Sequence, residues 1–177
     1  MRTNSIVLVA SVSILVGCAG TAPKATFVQQ PKENVRVDTN DITVINVVPS
    51  TGVMLTEAEK QRLASLIDQQ ISVKKALNGA GGETVNYDVD VLVTRYEKGS
   101  AVARLISAGL GQIHIDSTVR LFKTEGRELL SEFTLSKTFA WGGGYGAATH
   151  IEDVEPAFAE GIATALTGQA GSSGSNK

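Results

Sequence analysis

The sequence predicts an α+β fold: a two-layer sandwich with a mixed sheet of about four strands and two helices on one face, ordered β-α-β-β-β-α. Three observations lead there. Residues 84–97, 113–122 and 129–139 alternate apolar and polar side chains with a period of two, as half-buried strands do. Residues 56–74 and 152–166 instead repeat their apolar side chains at helical spacing. A sheet with one apolar and one polar face needs a cover on one side only, so both helices belong on the same face.

The chain opens with Arg2 and an apolar run over residues 5–16, which closes on Leu15-Val16-Gly17-Cys18. That run suits a signal peptide and falls short of the ~20 residues a membrane-spanning helix needs. Cys18 is the only cysteine, and it stands where a lipoprotein cleavage box requires one. Residues 1–17 therefore read as a signal peptide, and residues 18–38 as a lipidated cysteine with a spacer. The likeness to bacterial lipoprotein signals implies a diacylglyceryl thioether on Cys18 and acylation of the new N-terminus, since more than one acyl chain is needed for stable anchoring. Ala19 in place of Asp implies the periplasmic face of the outer membrane in a Gram-negative cell. An extended spacer of roughly 16 residues would reach up to about 50 Å from the lipid.

A single domain is expected over 39–167. Residues 41–48, rich in Ile and Val, read as its first strand. Thr56 with Glu59 forms a capping box at the start of a helix whose apolar face is Leu63, Leu66, Ile67 and Ile71. Asn78-Gly79 stops it. In the next strand Val85, Tyr87, Val89, Val91 and Val93 face inward. Ile113, Ile115, Val119 and Leu121 continue that face, and Thr124-Glu125-Gly126 turns the chain back to Phe133, Leu135 and Phe139. The last helix presents Val154, Phe158, Ile162 and Leu166, and Pro156 demands a start close by, with Asp153 as cap. The first strand and its crossover helix should give a parallel pair, and the last three strands a meander. The core is expected to hold Val89, Val91, Leu121, Leu135, Leu66, Ile67, Phe158 and Ile162. Residues 168–177, rich in Gly, Ser and Asn, read as a disordered tail.

Several pieces resemble the bacterial lipoprotein family catalogued as domain of unknown function 4410. They are Val93-Thr94 with Tyr96 and Gly99, Arg104 with Gly109-Leu110-Gly111, Ile115-Asp116, the run from Lys137 through Trp141-Gly142-Gly143, Glu152-Asp153-Val154, and Phe158-Ala159-Glu160. The resemblance implies an exported lipoprotein domain with no established activity. The layout is also similar to small α/β domains of periplasmic assembly lipoproteins, a likeness of architecture only.

Composition and motifs exclude several function classes. The formal net charge is −2 with basic residues scattered, which excludes a nucleic-acid stripe or polybasic membrane patch. Trp141-Gly142-Gly143-Gly144-Tyr145-Gly146 stands between a strand and a helix, where a phosphate loop would lie. It lacks Gly-Lys-Ser/Thr and a following strand with an acidic end, which leaves a protein-contact loop or a plain surface loop. Residues 98–111 could form a helical turn over the core or an apolar flap that meets a partner subunit or the membrane surface. His114 and Asp116 share a strand face, and with His150 they make no zinc set. No Gly-x-Ser-x-Gly elbow occurs, and Ser172, Ser173 and Ser175 belong to the tail. Asp88 and Asp90 could do acid–base work only inside a cleft.

The expectation is a membrane-anchored, non-catalytic binding or assembly module of the cell envelope. It would need no metal or cofactor. Its partners would be the membrane, through the lipid, and an envelope protein or a second copy of itself. Trp141, Tyr145, Arg104 and Tyr96 are the expected contact residues. The alternative is an envelope hydrolase acting on glycan or peptide, which would require Asp88, Asp90, His114 and Asp116 to converge in one concave pocket.

Overall fold

The structure, a computed structural model, describes residues 23–31, 35–78 and 82–168. The expected signal peptide, Cys18 and the tail beyond Gly168 lie outside the described residues.

The fold is α+β in two layers. Its elements are β1 (Lys24–Gln29), β2 (Ile42–Pro49), α1 (Glu57–Ala76), β3 (Asn86–Glu97), α2 (Ala101–Ile106), β4 (Ile113–Lys123), β5 (Glu128–Phe139), α3 (Gly143–Ala148) and α4 (Ile151–Leu166). The sheet has five strands in the order β1-β5-β4-β3-β2. β2 and β3 run parallel, as a helical crossover requires, and the other pairs are antiparallel.

One core lies between the sheet and the helices. Val89, Val91 and Val93 of β3, Ile115, Val119 and Leu121 of β4, and Phe133 and Leu135 of β5 are buried on one sheet face. Leu63, Ile67 and Ile71 of α1 and Phe158, Ile162 and Leu166 of α4 cover them. Of the expected core residues only Leu66 is half-buried. Thr56 caps α1: its hydroxyl accepts from the Glu59 N–H at 3.3 Å, and the Glu59 carboxylate accepts the Thr56 N–H at 2.8 Å.

Four expectations need correcting. The spacer read over 18–38 contains β1, which pairs with β5 through Lys24 opposite Ser136 and Phe27 opposite Phe133. The two phenyl rings meet at 5.4 Å. Val37, also in that stretch, is fully buried, and its N–H reaches the Leu166 carbonyl at 2.9 Å. These residues order because the outer edge of β5 and the flank of α4 offer them backbone partners and apolar surface, which the local pattern does not announce. The sheet consequently has five strands, not four. Two short helices, α2 and α3, occur besides the two long ones. Finally, α4 starts earlier than expected, with His150 at the N-cap. Asp153 stands three residues inside and its carboxylate accepts the His150 N–H at 2.8 Å. Pro156 therefore lies in the second turn, with its ring exposed.

Candidate functional site

The end of the sheet where β3 and β5 finish and β4 begins carries a cap built from α2, α3 and their loops. After β3 the chain turns through Gly99, whose φ is +64°. The Ser100 hydroxyl accepts the Ala103 N–H at 3.3 Å and starts α2. The loop closes where the Ser100 N–H meets the Gly111 carbonyl at 3.1 Å. After β5, Gly142 starts α3, and the Gly109 N–H bonds the Ala140 carbonyl at 2.9 Å, joining the two loops.

Arg104 holds this cap together. It is 2 % exposed, and its guanidinium donates to the carbonyls of Gly146 at 2.7 Å, Gly111 at 2.5 Å and Thr149 at 2.8 Å. Two of these carbonyls end α3, where the helix presents its negative pole, and a cation there is favoured. The planar array of donors fits several diverging carbonyls at once, which a lysine could not do. Gly146 must be glycine because a Cβ there would run into the Trp141 carbonyl.

This frame displays apolar side chains outward. Val102, Leu105, Ile106 and Leu110 are all more than half exposed, Ile106 at 76 %. Tyr145 is 68 % and Trp141 39 % exposed. Tyr145 lies 6.0 Å from Trp141, edge to face, and 6.1 Å from Phe139 at the end of the core.

Tyr96 lies behind the cap in a polar cluster. Its hydroxyl donates to the fully buried Glu155 carboxylate at 2.6 Å, and Arg62 grips the same carboxylate at 2.6 and 3.0 Å. Burial, then the bond to Glu155, pushes the Tyr96 hydroxyl well above its ordinary value. The bond to Glu155 likewise raises Arg62. The cluster ties α1, α4 and β3 together. Beside it, Lys98 bridges Glu59 at 2.7 Å. The Lys98 contact and the Thr56 backbone bond lower the Glu59 carboxyl to about 2.

The carboxylates of the open sheet face do not converge. Arg127 bridges Asp88 at 3.3 Å and Asp90 at 2.6 Å at one end. At the other end Asp116 bonds the Ser136 hydroxyl and His114 the Thr138 hydroxyl. In the β3–β4 register Asp90 faces Arg120 while Asp116 faces Arg95, several residues further on. Among the described residues no group of three or more His, Cys, Asp or Glu side chains is placed to hold a metal. A shallow depression of about 450 Å³ lies between residues 51–54 and 94–97, and its one carboxylate, Glu97, is bridged to Arg95 at 2.7 Å.

Of the expected contact residues, the structure brings Trp141 and Tyr145 to the surface. Arg104 is corrected: it is interior and holds the surface that others present. Tyr96 is half-buried and committed to Glu155. The outward role of Leu105, Ile106 and Leu110 was legible only as one of two readings of 98–111. Arg104 as the lone charge among small and apolar residues is the signal that marks it as interior. The stretch 142–146, expected as a loop, instead leads into the short helix α3, where Gly142 and Gly146 stand against the backbone of Ala108 and Trp141.

No family model matches the chain and no curated protein matches it, so the likeness to domain of unknown function 4410 rests on the residues quoted above. Solved structures do resemble it. A PelC dodecamer from Paraburkholderia phytofirmans is 10 % identical, with a TM-score of 0.53, over 82 % of this chain and 98 % of that one. A point variant of the same PelC dodecamer is 11 % identical, with a TM-score of 0.54, over 81 % and 97 %. A minor lipoprotein from Acinetobacter baumannii is 12 % identical over 74 % and 92 %, with a TM-score of 0.40. At these identities the PelC likeness shows the fold alone.

Proposed function

We propose that this chain is a lipid-anchored envelope lipoprotein, held by Cys18 at the periplasmic face of the outer membrane, and that it acts as a non-catalytic binding and assembly module. The observation that carries this reading is the cap: a rigid frame, fixed from inside by Arg104, that presents apolar and aromatic side chains to the outside. Enzymes converge polar groups in a cleft, whereas docking modules display aromatic and apolar anchors. The carboxylates of the sheet face, Asp88 and Asp90 held by Arg127 at one end and Asp116 held by the Ser136 hydroxyl at the other, support the same choice over a hydrolase.

Self-association is the protein–protein part of this reading. PelC of this fold forms a dodecamer, which supports the idea that the two-layer unit can pack side by side. Among the described residues β2 is the outermost strand of the sheet, and Ile42, Val44 and Val48 are exposed along it. The test has two arms. Palmitate labelling with membrane fractionation should label the wild type and not Cys18→Ser; equal label in both removes the anchor. Light scattering on the detergent-solubilised acylated chain should find oligomers that Val44→Asp dissociates; a monomeric wild type removes self-association.

A further inference from the structure

We infer that the α2–α3 cap rests on the lipid leaflet that holds the chain's own anchor, with Leu105, Ile106, Trp141 and Tyr145 entering the boundary between headgroups and acyl chains. This inference rests on the reading of Cys18 as lipidated and names what the apolar surface meets.

The direction of β1 is the first argument. β1 runs antiparallel to β5, with Lys24 opposite Ser136, so the chain enters the sheet from the end where β5 finishes and the cap begins. Pro23 is packed a few residues short of that end, between α4 and β5: a Cβ on Gly161 of α4 would lie 2.7 Å from the Pro23 ring and 3.1 Å from Leu135.

Length is the second. Only residues 19–22 separate Cys18 from Pro23. Five Cα steps span at most about 18 Å. From Leu135 to Phe139 the sheet advances roughly 13 Å, so a residue on such a tether is able to reach the level of the cap. From Leu135 back to Glu128 it advances roughly 23 Å, which is further than the tether extends. The leaflet therefore meets the cap end of the domain and not the opposite end.

The chemistry of the two ends agrees. Residues 99–113 and 138–149 contain no Asp or Glu, and their one basic side chain, Arg104, is buried; the exposed charges nearest the cap, Glu97, Lys98, Glu152 and Asp153, flank these two segments rather than lying within them. The opposite end carries Glu83, Lys123, Glu125, Arg127 and Glu128, all exposed. Aliphatic residues flanked by Trp and Tyr are what a membrane interface accepts, and carboxylates are what it repels.

Trp141 is the only tryptophan, so its fluorescence reports on the cap directly. The full acylated chain is reconstituted into phosphatidylethanolamine–phosphatidylglycerol vesicles containing lipids brominated on the acyl chain. The expected result is a blue-shifted Trp141 emission that the brominated lipid quenches. Leu105→Ser combined with Ile106→Ser, both at exposed positions, should still float with the vesicles but lose most of the quenching. A chain that floats, carries the diacylglyceryl mass and shows no lipid quenching overturns the inference while the anchor stands. Trp141 shielded from acrylamide but not from water-side cross-linking to a second copy also overturns it, since a copy then covers the cap. A chain without the diacylglyceryl mass defeats the anchor reading itself, and the inference falls with it.

Discussion

Arg104 shows how one buried charge can organise a surface it does not touch. Among the described residues its guanidinium meets no carboxylate; carbonyls of Gly111, Gly146 and Thr149 surround it instead. Those carbonyls belong to loops with little apolar burial of their own, so their positions depend on a shared donor. Removing it leaves several buried acceptors unsatisfied. Arg104→Met should therefore destabilise the domain by about 3 kcal/mol or more, and Arg104→Lys should recover little of it, because a single ammonium cannot reach the same set of acceptors. Denaturant midpoints check this. A loss within about 0.5 kcal/mol, the usual range for a surface change, would show that the loops hold themselves.

Among the elements, β3 is the clearest case of sequence dictating register. Val89, Val91 and Val93 face the helices, while Asp88 and Asp90 face outward to Arg127. A bulge between Val93 and Arg95 then resets the parity, so that Tyr96 turns inward to reach Glu155. Val91→Asp puts an unpaired charge among Ile and Val side chains and should cost at least about 4 kcal/mol; Thr94→Asp, exposed at the bulge, should stay within about 0.5 kcal/mol. Thermal melts in the reverse order would mean a register shifted by one residue. β1 is the opposite case. Ala25 and Phe27 alternate with Thr26 and Val28, but so short a run is indistinguishable from linker until the edge of β5 is in place.

For the whole molecule, the Glu59–Lys98 pair joins the start of α1 to the β3–α2 loop and links global stability to acid. The Glu59 carboxyl is lowered in the folded state to about 2, from an ordinary value of 4.5. A depressed carboxyl stabilises the fold above its unfolded value, and that contribution is lost as pH falls from about 4.5 toward 2. Glu59→Gln keeps a side chain able to cap but removes the charge. Wild type should exceed the variant at neutral pH, and the gap should close over that acid interval. A gap that stays constant from pH 7 to pH 2 would show that the charge plays no part.

The sequence by itself determined the period of every long element, the capping box of α1, the parallel pair made by its crossover and the inward faces of β3, β4, β5 and α4. These follow from local spacing and from the rule that apolar faces must be covered. Only the tertiary structure decided that residues 24–29 extend the sheet, that Arg104 is interior and that Gly146 is there for packing. It alone decided that residues 101–106 and Tyr145, distant in sequence, share one exposed surface. Each of these depends on groups that meet only after the chain has folded: an open strand edge, carbonyls from separate loops, a backbone at contact distance. No local pattern encodes them.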